Sequence, residues 1–318
     1  MRNKMRKRRG KRGFLQLPFS WLFAIIVGAI ILFFAIYAAT KLIGTETSAS
    51  SAQTGKEISV LLNPLETSFG EESTTPLIIS VDSRLANKCS SFGNFGTDQI
   101  TVSQKNAGKW QENTVGPSSE NKYIFSENLT EGRQFYLFSK PLDLPFKISD
   151  LIYLTSANTN YCFIGAGKDI QSELTSLDQG NLFVTNCPSG SIKVCFDWDQ
   201  TCDINVDTYQ KSVEKNGSTV YFETDALMFG AIFSDPVIYE CQVKRLMKRL
   251  NELTGIYNDK ETLISSITNG TCSTDINLLP LEGAASGLRS SSDLIDVKMA
   301  SDDAYAANQF VQSGCRLW

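Results

Sequence analysis

The chain contains no histidine. That single absence excludes Ser-His-Asp hydrolysis, Cys-His proteolysis, His-ligated zinc and H-E-x-x-H metalloprotease chemistry. An enzyme on this sequence would have to use paired carboxylates, a Lys or Tyr base, or an unpaired thiolate. With 34 acidic residues, spacing alone gives no means of choosing two of them as a catalytic pair. Acidic residues are in turn missing from the first 45 positions, and cysteine from the first 88. No C-x-x-C occurs, so structural zinc is poorly supplied with ligands as well. The passage Gly165-Ala166-Gly167-Lys168 is not a phosphate loop. Cys162 stands where G-x-x-x-x-G-K-[ST] needs its first Gly, and Asp169 where it needs a hydroxyl.

The N-terminus holds charge of one sign and then none. Eight of the first thirteen residues are basic (Arg2, Lys4, Arg6, Lys7, Arg8, Arg9, Lys11, Arg12), and Leu17 to Ala39 is uncharged. At about 1.5 Å per residue that stretch makes roughly 34 Å of helix, enough to cross a hydrocarbon core about 30 Å thick. Lys and Arg flanking a first span stay on the cytoplasmic side, and only Lys41 follows it closely. The expected organisation is a basic cytoplasmic tail (1–16), a transmembrane helix (17–43), a flexible linker (44–55, GTETSASSAQTG from Gly44) and an outer region. The expectation is a single-pass protein of the cell membrane, N-terminus cytoplasmic and C-terminal domain outside. Trp21 and Tyr37 suit the two interfaces. A cleaved secretory signal fits less well, because its apolar region runs about 7–15 residues and ends in an A-x-A-like site; here only Ile36/Ala38 or Tyr37/Ala39 have that spacing. Ala24 and Gly28 form a short small-residue stripe, an opening for a homo-oligomer.

Beyond the span, 21 basic residues face 34 acidic ones, a net charge of −13. Such a domain repels phosphate backbones, so nucleic acid is not an expected partner, while the lipid bilayer is one. All eight cysteines (Cys89, Cys162, Cys187, Cys195, Cys202, Cys241, Cys272, Cys315) lie in this part, which argues for disulfides on an oxidising side. Eight cysteines allow 105 pairings. Proximity in sequence suggests Cys195 with Cys202 across a short loop and Cys241 with Cys272 across a helical hairpin. Three sequons, at Asn128, Asn216 and Asn269, are glycosylation candidates.

The outer chain reads as α+β, a β-rich lobe over 56–150 followed by an α/β and helical lobe over 151–318. Strand signals fall at Ile58 to Leu62, Leu77 to Val81, Gln99 to Ser103, Tyr123 to Ser126 and Gln134 to Phe138, with Gly, Asn, Ser and Pro clusters between them. Phe92-Gly-Asn-Phe-Gly96 suggests a turn packed by its own rings. Apolar runs at Leu151 to Leu154, Tyr161 to Gly165 and Leu182 to Val184 flank an amphipathic stretch, Asp169 to Leu177, which suits a parallel crossover. Lys193 to Phe196 and Ile204 to Val206 read as strands, and Lys215-Asn-Gly-Ser218 as a hairpin turn before Thr219 to Phe222. Between these, Asp197, Asp199, Asp203, Asn205 and Asp207 form an odd-spaced oxygen ladder, the one place where a calcium cofactor is conceivable. The helix-loop-helix calcium motif would want Gly at Cys202 and Glu at Thr208, and the alternation equally fits a strand with one polar face.

The last hundred residues turn helical. Asp225 to Phe233 is a short apolar helix, and Ser234-Asp235-Pro236 supplies a cap and a first-turn Pro for a second one expected to end near Gly255. Further helices are expected over Lys260 to Ile267 and Ser292 to Val311. Lys244, Arg245, Lys248 and Arg249 make a basic face beside the stripe Tyr239, Val243, Leu246, Leu250 and Leu253. They form a candidate docking patch for an acidic neighbour, a second copy, or carboxylated glycans.

The basic tail ending in Lys11-Arg12-Gly13 and opening into Phe14-Leu-Gln-Leu-Pro-Phe-Ser-Trp21 resembles the N-termini of archaeal pilin-like and related uncharacterised surface proteins. The likeness covers about the first 43 residues and implies cleavage after Gly13 and packing of the apolar helix in a filament; Pro18 stands where that family has Glu. Asp225-Ala-Leu-Met-Phe-Gly-Ala-Ile-Phe-Ser-Asp-Pro236 is similar to segments of uncharacterised archaeal membrane proteins and implies no activity. The expected function is therefore an anchored surface or envelope protein with a binding or structural role toward protein or glycan partners. A His-free carboxylate hydrolase and a pilin-like filament subunit are the alternatives.

Overall fold

The computed structural model describes residues 21–41, 75–106, 108–110, 116–196, 201–272, 276–311 and 313–318. The expected strand at Ile58 to Leu62, the linker 44–55 and the basic tail lie outside them. The chain divides into two units, residues 1–49 and 50–318. In the first, helix α1 (Trp21–Lys41) is long and apolar enough to cross a membrane, with a mean hydropathy of 2.8, and fits a single-pass anchor.

The second unit is an α+β domain carrying four disulfides. Its first sheet is formed by β1 (Thr75–Ser90), β2 (Thr97–Asn106), β3 (Lys109–Trp110), β4 (Ser118–Ser119), β5 (Tyr123–Phe125), β6 (Leu129–Asp143) and β7 (Lys147–Ser156). Their order is β3-β2-β1-β6-β7-β5, with β4 on the β2 edge. Neighbours are antiparallel except β5, which runs parallel to β7. A second sheet follows, built from β8 (Tyr161–Ile164), β9 (Leu182–Phe183), β10 (Ile192–Cys195), β11 (Ile204–Asp207), β12 (Ser212–Lys215) and β13 (Ser218–Tyr221). Its order is β13-β12-β11-β10-β8-β9. Helix α2 (Lys168–Ser176) makes the expected crossover, since β8 and β9 are parallel. The hairpin turn is where it was expected, and its geometry explains the sequence: Asn216 and Gly217 both take positive φ, 52° and 71°, as a two-residue hairpin requires.

Strand β7 runs through position 150, where the sequence suggests a lobe boundary, and one core draws on both sides of it. Phe138, Leu151 and Tyr153 pack in the same cluster as Phe163, Val194 and Phe222. Helix α3 (Asp225–Phe233) explains why. From Ala226 to Phe233 every residue is buried, and a helix apolar on all faces must be surrounded. Phe233 meets the rings of Phe138 and Tyr153 from the first sheet and of Tyr161 and Phe163 from the second, at centroid distances of 5.1 to 6.3 Å. Thr224 caps its start by accepting from the Leu227 N–H. At its end Lys215 donates to the Ile232 and Ser234 carbonyls and pairs with Glu127, a cation where the helix dipole is negative.

Helix α4 (Pro236–Ile267) begins as its sequence indicates, with Asp235 capping the Val237 N–H and Pro at the first turn. It does not stop near Gly255. The expected second and third helices are one helix of 32 residues. A helical Gly costs only about 1 kcal/mol, and beyond it Tyr257 and Ile264 pack on the core, with Tyr257 against Phe146 and Trp318. Helix α5 (Leu279–Gly287), not expected from the sequence, precedes α6 (Leu294–Phe310), which lies within the expected Ser292 to Val311.

The disulfides are Cys89–Cys241, Cys162–Cys187, Cys195–Cys202 and Cys272–Cys315. The local Cys195–Cys202 pair agrees with the sequence reading, and the Cys241–Cys272 pair is corrected. Both of those residues lie at or beyond opposite ends of a helix that continues to Ile267, so Cys241 turns to β1 and Cys272 to the chain end.

Gly230 faces the Phe125 ring so closely that an added Cβ would lie 2.7 Å from it. Gly230→Ala gains about 1 kcal/mol of helix propensity but overpacks a fully buried ring. We expect a net loss of about 1–2 kcal/mol in urea denaturation; a stabilised variant would show that the α3 contact is looser than described.

Candidate functional site

The four basic residues of α4 do not form a surface patch. Arg245 is fully buried, at 0% exposure. Its Nε donates to the Phe95 carbonyl at 3.2 Å, Nη1 to the Lys122 carbonyl and Gln242 Oε1 at 2.9 and 2.7 Å, and Nη2 to the Ser119 and Glu120 carbonyls at 3.2 and 2.9 Å. Lys248 donates to the Ser91 and Gly93 carbonyls and Arg249 to that of Ile148. Lys244 stays partly exposed beside Cys241. The reason is topological: the segments after β1 and around β4, and the irregular start of β7 where its register with β6 shifts, offer carbonyls to which α4 brings cations. The expected ring-packed turn is corrected at the same place, because Phe92 is 92% exposed.

Asp98, on β2, completes this cluster. Its Oδ2 accepts from the Ile124 N–H at 3.0 Å and from Gln242 Nε2 at 2.5 Å, and lies 3.6 Å from Arg245 Nη1. Burial pushes its carboxyl up to about 6 against the pull of Arg245. Asp98 and Glu223, whose carboxyl burial also raises, line none of the three clefts described next.

One cleft, of about 600 Å³, lies between β6 and α2; there Lys140 and Glu173 neutralise each other at 2.5 Å. A second, of about 440 Å³, borders the Cys89–Cys241 bridge, and its Glu240 is held by Ser291, Oγ to Oε1 2.5 Å. A third, of about 680 Å³, lies over β11, β12 and β13.

The oxygen ladder explains this third cleft. Val206, Val213 and Val220 lie side by side in register and are buried. Their neighbours along each strand therefore share the opposite face: Asn205 and Asp207 on β11, Ser212 and Glu214 on β12, Thr219 and Tyr221 on β13. Asp207 Oδ1 accepts from the Tyr209 and Gln210 N–H groups at 2.9 and 2.8 Å, which fixes the turn that projects Tyr209, 94% exposed, beside the cleft. No hydrogen bond or ion pair among the described residues holds Glu214. Asp203, the ladder's middle member, accepts from the Lys193 N–H instead. Asp197 and Asp199 lie outside the described residues. Among the described residues no group of three or more His, Cys, Asp or Glu side chains is placed to hold a metal ion.

Sequence reasoning singled out Asn205 and Asp207 but not Glu214, Tyr209 or Tyr221. The signal was present: Val213 and Val220 alternate with Glu214, Thr219 and Tyr221 as Val206 does with Asn205 and Asp207. Asn128, Asn216 and Asn269 are all exposed, the last two in turns with φ of 52° and 50°. Compared with family models, with curated proteins and with solved structures, the chain gives no match.

The raised Asp98 carboxyl makes stability depend on pH with a defined sign. Since the folded value, about 6, exceeds the ordinary 3.8, its contribution is fully present below about 3.8 and lost as pH rises through 6. Asp98→Asn should remove up to roughly 3 kcal/mol of that dependence between pH 4 and 7. Urea midpoints across this range check it; an unchanged slope would mean that the carboxyl titrates normally.

Proposed function

We propose that this is a membrane-anchored binding protein of the cell envelope. Its outer domain takes up a hydroxyl-rich ligand of the glycan class in the cleft over β11 to β13. The observation that supports the reading is the composition of that face. Two tyrosines, one almost fully exposed, stand beside Asn205, Asp207, Glu214 and Thr219 on a rigid three-stranded support. Aromatic faces stack on the apolar side of a sugar ring, and amide, carboxylate and hydroxyl oxygens accept from its hydroxyls. Regular strands place those groups with the precision recognition needs. The acidic outer charge and the four disulfides suit residence outside the cytoplasm, with α1 as the anchor and the basic tail inside.

Full-length protein in detergent should retain at least one class of oligosaccharide on an array of neutral, amino and acidic glycans. Tyr209→Ala should weaken that binding by about tenfold, some 1.4 kcal/mol, without changing the urea midpoint. Binding that survives in Tyr209→Ala would place the ligand elsewhere, and retention of no glycan would end this reading.

A further inference from the structure

The cleft over β11 to β13 has a charge preference opposite to the one the α4 lysines and arginines suggest. Among the described residues its lining includes the carboxylates of Asp207 and Glu214 and the rings of Tyr209 and Tyr221, and no Lys or Arg. The lysines nearest in sequence are directed elsewhere. Lys215 points to the far side of its strand, onto Glu127 and the end of α3. Lys211 lies 5.8 Å from the centre of the Phe222 ring and acts on the Glu223 carboxyl. Asp207 spends one oxygen on its own turn, and Glu214 has no partner among the described residues.

A ligand that covers two carboxylates must replace the water it removes from them. A neutral sugar does so in part, through hydroxyl donors, while a carboxylated or phosphorylated one adds like charge. An ammonium group does so fully: it donates to the carboxylates and is attracted to the faces of the tyrosine rings. On the reading of this cleft as a glycan site, we propose that its ligand carries a protonated amino group. The class is amino-sugar glycans, as opposed to uronic-acid, phosphorylated or fully N-acetylated ones. Glu214 is the main charge partner, because it reaches the cleft without a competing bond, and Asp207 assists while it orients Tyr209.

The test uses full-length protein in detergent and three probes of equal length: β-linked glucosamine oligomers, their N-acetylated counterparts, and galacturonic acid oligomers. Calorimetry is run at a pH where the amine is protonated and at two salt concentrations. The amine form should bind about tenfold more tightly than the N-acetyl form, with the advantage shrinking at high salt, and the uronate should not bind. Glu214→Gln should reduce the amine advantage to less than about threefold while leaving N-acetyl binding in place. Asp259→Asn, an exposed acid on α4, should leave the advantage unchanged and so separate the cleft from the general acidity of the domain. Equal affinity for amine and N-acetyl forms, or a preference for uronate, would overturn the charge proposal and leave the glycan reading standing. Binding of none of the three would overturn the charge proposal, while the glycan reading falls only if the array retains nothing as well.

Discussion

A guanidinium with no access to water needs every one of its five N–H groups satisfied, and Arg245 meets that demand with four backbone carbonyls from two segments and one amide side chain. Much of the first sheet is organised around this requirement. The carbonyls of Phe95, Ser119, Glu120 and Lys122 converge on one point of α4 only if the loops after β1 and around β4 are held there. Asp98 beneath them supplies a counter-charge at 3.6 Å. Removal of either ionic partner would strand the other in a dry interior, so the pair gives the contact a register and not simply adhesion. The Cys89–Cys241 bridge, one helical turn away on α4, holds the same junction covalently.

A second constraint is the burial of α3. A nine-residue helix with no polar face can persist only between layers, and here those layers are the two sheets. The aromatic cluster around Phe233 makes the two sheets interdependent, which is why one core spans position 150. Lys215 adds the polar counterpart. It is almost fully buried because the helix end it caps is buried, and its charge is met by Glu127. With Lys215 drawn inward from β12, the outward face of the same strand is left to Glu214 and Ser212. The acidic, aromatic character of the cleft thus follows in part from what α3 needs on the other side.

Much of the fold was legible in the chain. The apolar segment of membrane length, the crossover around α2, the Asn-Gly hairpin and the Ser-Asp-Pro start of α4 are all encoded in residues close together in sequence. Local physics decides them: hydrophobic period, cap chemistry, and the φ that Asn and Gly tolerate. The continuation of α4 past Gly255 was not legible, because a glycine reads as a stop unless distant side chains, here Phe146 and Trp318, reward the extra turns. The candidate site was half legible. The ladder through Asn205 and Asp207 marked one strand of it, while Glu214 and Tyr221 join only because β12 and β13 fold back in register beside β11.

By itself, then, the sequence determined which chemistry is closed to this protein, that it has one helix of membrane length, and the kind of most elements that follow, since each depends on composition or on neighbours within a few residues. Only the tertiary structure decided where charge ends up. Lys244, Arg245, Lys248 and Arg249 read alike as a basic helix face. Yet three of them are spent on carbonyls more than 90 residues away in the chain. Cysteine pairing was decided in the same way, with Cys89 and Cys241 joined across 152 residues. Burial and partnership are properties of contacts between distant segments, and no local pattern carries them.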